Sequence, residues 1–93
     1  MNPRTLAEKR VILSADYSIA TERLGQLKAD KAVRWLVIRK TCKTDREADR
    51  TCEALAEGQE EIKLMYKCRG LEREISSISA LLRVLDGEAR MQY

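Results

Sequence analysis

Apolar residues recur every three or four positions along the first half of the chain. Spacings of three and four place side chains on one face of an α-helix. The stripe runs through Leu6, Leu13, Tyr17, Ala20, Leu24, Leu27, Trp35 and Ile38, with Arg10 and Lys31 filling its two gaps. The pattern predicts one long helix with a single packed face.

The second half of the chain carries two such stripes in succession. The first is Ala48, Cys52, Leu55, Gln59 and Ile62, and the second is Leu64, Cys68, Leu71, Ile75, Ile78, Leu82, Leu85 and Ala89. The first stripe gives way to the second near Met65. This change of stripe interrupts the heptad spacing and predicts a local change of helix winding there.

Capping residues mark the ends of these helices. Asn2 followed by Pro3 is typical of a helix start, and Thr44 with Glu47 forms a capping box. Asp86-Gly87 is typical of a helix end. We therefore predict a single helical domain over residues 1–93, with helix one at 4–41, a turn at 42–44 and helix two at 45–86.

The stripe of helix one also matches the stripes of helix two when the chain folds back at this turn. Facing residues then have numbers that add up to about 87, as for Trp35 with Cys52, Leu27 with Gln59 and Tyr17 with Leu71. The predicted fold class is all-α, an antiparallel, coiled-coil-like hairpin of two helices.

A hairpin of two helices has one seam and no deep core, so we expect self-association. Further apolar side chains near the chain ends provide a candidate oligomer interface: Val11, Ile12, Ile19, Ile75, Ile78, Leu81 and Leu82. A homodimer forming a four-helix bundle, or a larger oligomer, is the expected assembly.

The composition argues against catalysis. The chain has no histidine, which is the commonest general base and metal ligand. Its three cysteines, Cys42, Cys52 and Cys68, lie too far apart for an ordinary zinc site. We expect no enzymatic activity, no metal and no cofactor.

No apolar run approaches the roughly 20 residues of a membrane span. The residues at the N-terminus also lack the apolar segment of a secretory leader. An odd number of cysteines without such a leader fits a reducing compartment. The expected location is the cytoplasm, without membrane contact.

The charges are separated along the chain. Residues 28–46 contain seven basic and two acidic groups, a net of +5, and residues 47–61 contain one basic and six acidic groups, a net of −5. Within the basic block a candidate anion-binding surface consists of Arg34, Arg39, Lys40, Lys43 and Arg46. The basic groups either bind single-stranded nucleic acid or are neutralised internally by the acidic block.

Trp35 has two interpretations within this surface. An aromatic ring flanked by basic groups can stack on the bases of a single strand. Its match with Cys52 favours a position in the seam. Glu60 and Glu61 are neighbours on a helix and point about 100° apart, so we interpret them as a solvated face.

Two segments of helix two resemble a known group of proteins. They are Thr44-Asp45-Arg46-Glu47 and the stretch from Gly70 to Arg83, which has the form I-x-x-I-x-x-x-L-R from Ile75. Residues 44–90 are similar to the short helical-hairpin proteins encoded in many bacteriophage and prophage genomes.

The resemblance implies an accessory protein of phage DNA recombination or replication that holds a partner protein and carries no catalytic site. Single-stranded DNA is a second candidate partner, through the basic residues near the turn. The alternative function is a phage-encoded inhibitor that binds and occludes a defence or regulatory protein of the host.

Overall fold

The computed structural model describes residues 2–91, and the side chains of residues 2–88. It contains three helices in this range: α1 (Pro3–Arg39), α2 (Asp45–Ala54) and α3 (Ala56–Met91). The all-helical prediction is confirmed. The molecule is elongated, with extents of 70 × 19 × 16 Å.

The predicted start of α1 is confirmed. The side chain of Asn2 accepts a hydrogen bond from the backbone N–H of Arg4 at 2.9 Å, and Pro3 occupies the first helical position. This position needs no backbone donor, which is why proline is tolerated there. The helix ends at Arg39, two residues before the predicted end.

The predicted start of α2 is also confirmed. The Thr44 hydroxyl accepts from the backbone N–H of Glu47 at 3.2 Å, while the Glu47 carboxylate accepts from the backbone N–H of Lys43 at 3.0 Å. The two side chains thus satisfy two donors that the first turn of the helix leaves free.

The prediction of one continuous second helix is wrong, because the chain breaks at Leu55. This residue has φ −68° and ψ 156°, which is extended backbone between α2 and α3. The predicted change of winding near Met65 falls inside the uninterrupted helix α3. The predicted stop at Asp86-Gly87 is also wrong, since α3 continues to Met91.

The break brings backbone segments of α2 and α3 into close contact. A Cβ atom added to Gly58 would lie 2.3 Å from the carbonyl oxygen of Cys52 and 2.9 Å from Cα of Glu53. The Gln59 side chain donates to the carbonyl oxygen of Glu53 at 2.7 Å, so it caps the last turn of α2. Gln59 is therefore exposed at the break and does not face Leu27 in the seam as predicted.

The long helix α1 packs against both α2 and α3. The hydrogen bonds between them follow opposite order along the chain: Arg10 with Ser79, Tyr17 with Glu72, and Trp35 with Asp49. The buried apolar residues form a thin line along this contact: Leu6, Ala20, Leu27, Ala48, Cys52, Cys68 and Ile78. The opposite side of α1 faces away from both neighbours.

Candidate interaction surfaces

The turn between α1 and α2 is held by Arg39. Its guanidinium donates to the Asp45 carboxylate at 2.7 Å and to the carbonyl oxygen of Cys42 at 2.7 Å. The side chain thus joins the last residue of α1 to the first residue of α2. Arg39 therefore belongs to the internal structure of the turn, although its acidic partner Asp45 lies within the basic block itself and not in the acidic block at 47–61.

The other predicted cations divide into two groups. The guanidinium of Arg34 donates to the carbonyl oxygen of Leu27 at 3.3 Å and is half-buried. The side chains of Lys40, Lys43 and Arg46 are exposed, and no acidic side chain among residues 2–88 pairs with them. The candidate surface is therefore three free cations around the turn.

The surroundings of Trp35 agree in part with each of the two interpretations of its ring. It is half-buried, and its indole N–H donates to the Asp49 carboxylate of α2 at 2.7 Å. This hydrogen bond ties the ring to the seam between α1 and α2. A base could reach only the part of the ring that remains in solvent.

Acidic residues near the break pair with α1. Both carboxylate oxygens of Glu60 accept from Arg23, at 2.8 and 2.9 Å. These hydrogen bonds to Arg23 hold the pKa of Glu60 below its usual 4.5, and the same contact raises the pKa of Arg23. The bidentate pair links the middle of α1 to α3.

The interpretation of Glu61 as part of a solvated face is wrong. This residue is only 7% exposed, and its carboxylate lies 3.6 Å from the ammonium group of Lys31. A buried carboxylate needs a partner, because an unpaired charge is costly away from water. Lys31 interrupts the apolar stripe of α1 at the position where it can supply that partner.

A cavity of about 220 Å³ lies beside the break. Its lining includes two cations, Lys31 and Arg34, and two carboxylates, Glu53 and Glu61. Opposite charges of equal number leave it without a preference for an anion or a cation, so we assign no ligand to it.

A second cross-helix contact lies towards the chain ends. The Tyr17 hydroxyl donates to the Glu72 carboxylate. This hydrogen bond raises the pKa of Tyr17 above its usual 10.0, because the neutral phenol is the form that donates.

Large apolar side chains remain exposed on both long helices. On α1 they are Val11, Ile12, Ile19, Val33, Leu36 and Val37, and on α3 they are Ile62, Tyr66, Leu81 and Val84. Their exposed fractions range from 40% to 68%. Isolated apolar residues on a surface are common, whereas a series along one helix face is a candidate interaction surface.

The predicted oligomer interface is only partly available for contact. Val11, Ile12, Ile19 and Leu81 are exposed, as this prediction needs. The remaining members face α1 within the same chain: Ile75 and Leu82 are half-buried and Ile78 is buried. Ile78 is thus a residue of the internal seam.

Cys52 and Cys68 are buried and Cys42 is half-buried, and all three are free thiols. Among the described residues, no group of cysteine, aspartate and glutamate side chains is arranged to hold a metal ion. Within the same residues, no helix combines the length and apolar character required to cross a membrane.

Comparisons of the chain with protein-family models, with curated proteins and with solved structures found no match.

Proposed function

We propose that this protein is a non-enzymatic helical interaction protein that self-associates and holds a protein partner. The observation that carries the proposal is the exposure of the apolar side chains on α1, of which Val11 and Ile19 are each 68% exposed. Burial of such a face against another chain is favourable at roughly 25 cal/mol per Å² of apolar surface. A thin internal seam adds a second reason for association.

The mass of the protein in solution tests self-association. Sedimentation equilibrium at micromolar concentration should give at least two chains, near a multiple of 10.7 kDa. A single species of 10.7 kDa at every concentration up to about 100 µM would contradict this part of the proposal, since that corresponds to a dissociation constant weaker than ~100 µM.

Single-stranded nucleic acid is a second candidate partner, favoured by the three free cations at the turn. Arg39 and Lys31 are paired with acids, whereas Lys40, Lys43 and Arg46 are exposed and have no acidic partner among residues 2–88. Cations held near each other but free of acids can contact successive phosphates.

Fluorescence anisotropy with a labelled oligothymidylate measures this contact. The variant Lys43→Glu/Arg46→Glu should bind more weakly than the wild type and should show a flatter dependence on salt. Lys63→Glu/Lys67→Glu on α3 is the matched control, because it changes the net charge equally at exposed positions away from the turn. Equal losses in both variants would show only a general charge effect.

The biological context of the proposal comes from the resemblance to phage helical-hairpin proteins. It suggests an accessory role in DNA recombination or replication, in the bacterial cytoplasm. An inhibitor of a host protein would use the same exposed surfaces. Crosslinking in infected cells distinguishes the two, since the first role requires a phage-encoded partner and the second requires a host protein.

A further inference from the structure

The outer face of α1, extended by its C-terminal cap residue Lys40, carries a second heptad series. Its members alternate in spacings of four and three: Glu8, Ile12, Ala15, Ile19, Glu22, Gln26, Ala29, Val33, Leu36 and Lys40. All ten side chains are exposed. This is the spacing of a coiled-coil seam, and it lies about 100–160° around the helix from the buried line through Ala20 and Leu27.

The charges in this series disfavour a parallel pair of α1 helices. In a parallel pair each residue faces its own copy, so two Glu8 side chains, two Glu22 side chains and two Lys40 side chains would meet. Like charges placed directly opposite each other destabilise a pair of helices.

An antiparallel pair centred at the level of Leu24 brings complementary side chains together. Glu8 then faces Lys40 of the second copy at each end, which leaves Lys43 and Arg46 as the unpaired cations of the turn. Near the centre, the Glu22 carboxylate faces the Gln26 amide of the second copy, which can donate a hydrogen bond to it. Glu8 also contacts Arg4 of its own helix at 3.3 Å, through one oxygen, so its other oxygen is available.

The apolar layers of this arrangement also complement each other in size. Ala15 faces Val33 of the second copy, and Ile19 faces Ala29 of the second copy. Placing a small side chain opposite a large one lets helices pack closely without voids. Ile12 and Leu36 close each end of the apolar part, about 36 Å apart along the helix.

We infer that α1 packs antiparallel against α1 of a second copy of this chain, through the outer heptad series and in this register. The inference rests on the proposed self-association and specifies its surface and geometry. The α2 and α3 helices then lie on the outer sides of the dimer. The exposed apolar residues of α3 remain accessible to a different protein.

Disulfide crosslinking tests the register. In a background with Cys42, Cys52 and Cys68 replaced by alanine, Ala15→Cys/Val33→Cys should form covalent dimers under mild oxidation. Ala15→Cys alone should not, because the two copies of this residue lie about 27 Å apart in the antiparallel pair. Efficient dimerisation of the single variant would indicate a parallel pair and would overturn the inference.

Charge exchange provides a second test in the native background, where folding does not depend on the cysteine replacements. Glu8→Lys and Lys40→Glu should each raise the dimer dissociation constant by about two- to thirty-fold, since each disrupts two ion pairs per dimer. The double variant should restore the wild-type constant. In a parallel pair, each single variant would replace one contact between like charges by another such contact. The dimer dissociation constant should then change little.

The outcomes separate the inference from the proposed function. A dimer that shows neither the crosslink nor the charge effect refutes this register while self-association stands. A monomeric wild-type chain refutes both.

Discussion

Replacement of Gly58 by alanine tests how the break between α2 and α3 is built. Alanine normally stabilises a helix relative to glycine by about 0.5–1 kcal/mol. Here the added Cβ would lie 2.3 Å from the carbonyl oxygen of Cys52 and 2.9 Å from both Cα and the carbonyl oxygen of Glu53. These are backbone atoms, so relief of the clash requires movement of one helix relative to the other.

The cost of such overpacking is about 1–3 kcal/mol, which exceeds the gain in helix propensity. Gly58→Ala should therefore lower the free energy of unfolding. Gly70→Ala is the matched control on α3, because a Cβ there meets no atom within 4 Å. It should raise the stability by about 0.5–1 kcal/mol.

Thermal unfolding followed by circular dichroism, at one protein concentration, measures both variants. A difference of about 2 kcal/mol between them corresponds to roughly 8–16 °C in Tm for a chain of this size. An increase of Tm in Gly58→Ala equal to that in Gly70→Ala would refute the close approach of the two backbones.

Three further predictions concern the contacts within the chain. Arg39→Ala should lower the stability by about 1 kcal/mol because it removes both hydrogen bonds across the turn, whereas Lys43→Ala should leave the urea midpoint unchanged. The pKa of Glu60 is lowered in the folded chain, so its pair with Arg23 contributes fully to stability above pH 4.5. This contribution to stability is lost as the pH falls through the folded pKa of Glu60. Glu60→Gln should therefore flatten this part of the acid unfolding curve. Ile78→Asp should unfold the chain, seen as a loss of helical ellipticity, because a buried unpaired charge costs several kcal/mol.

Local signals in the sequence predict the helix ends because capping depends on residues adjacent in the chain. Asn2 with Pro3, and Thr44 with Glu47, act through hydrogen bonds within four residues. The all-helical class follows equally from apolar spacing. These features require no knowledge of the tertiary structure.

The break at Leu55 has no comparable local signal. Leucine is a good helix former, and no proline lies near it. The break is stabilised by contacts between α2 and α3, in which Gly58 lacks the Cβ that would clash and Gln59 supplies a cap. Gly58 is the one sequence feature that could have indicated it.

The burial of Glu61 depends on tertiary pairing in the same way. Its neighbours Glu57 and Glu60 make it resemble one member of an exposed acidic face. The available signal was Lys31, a charged residue within an apolar stripe that can offer its ammonium group to a carboxylate of the facing helix.

The most direct test of the central claim compares the mass of two aspartate variants at exposed apolar positions. Ile19→Asp, at a residue 68% exposed on the outer face of α1, should give a monomer of about 10.7 kDa that keeps its helical circular-dichroism spectrum. Leu81→Asp, at a residue 42% exposed on α3, should keep the wild-type mass. Dispersal by Leu81→Asp with no change in Ile19→Asp would contradict association through α1.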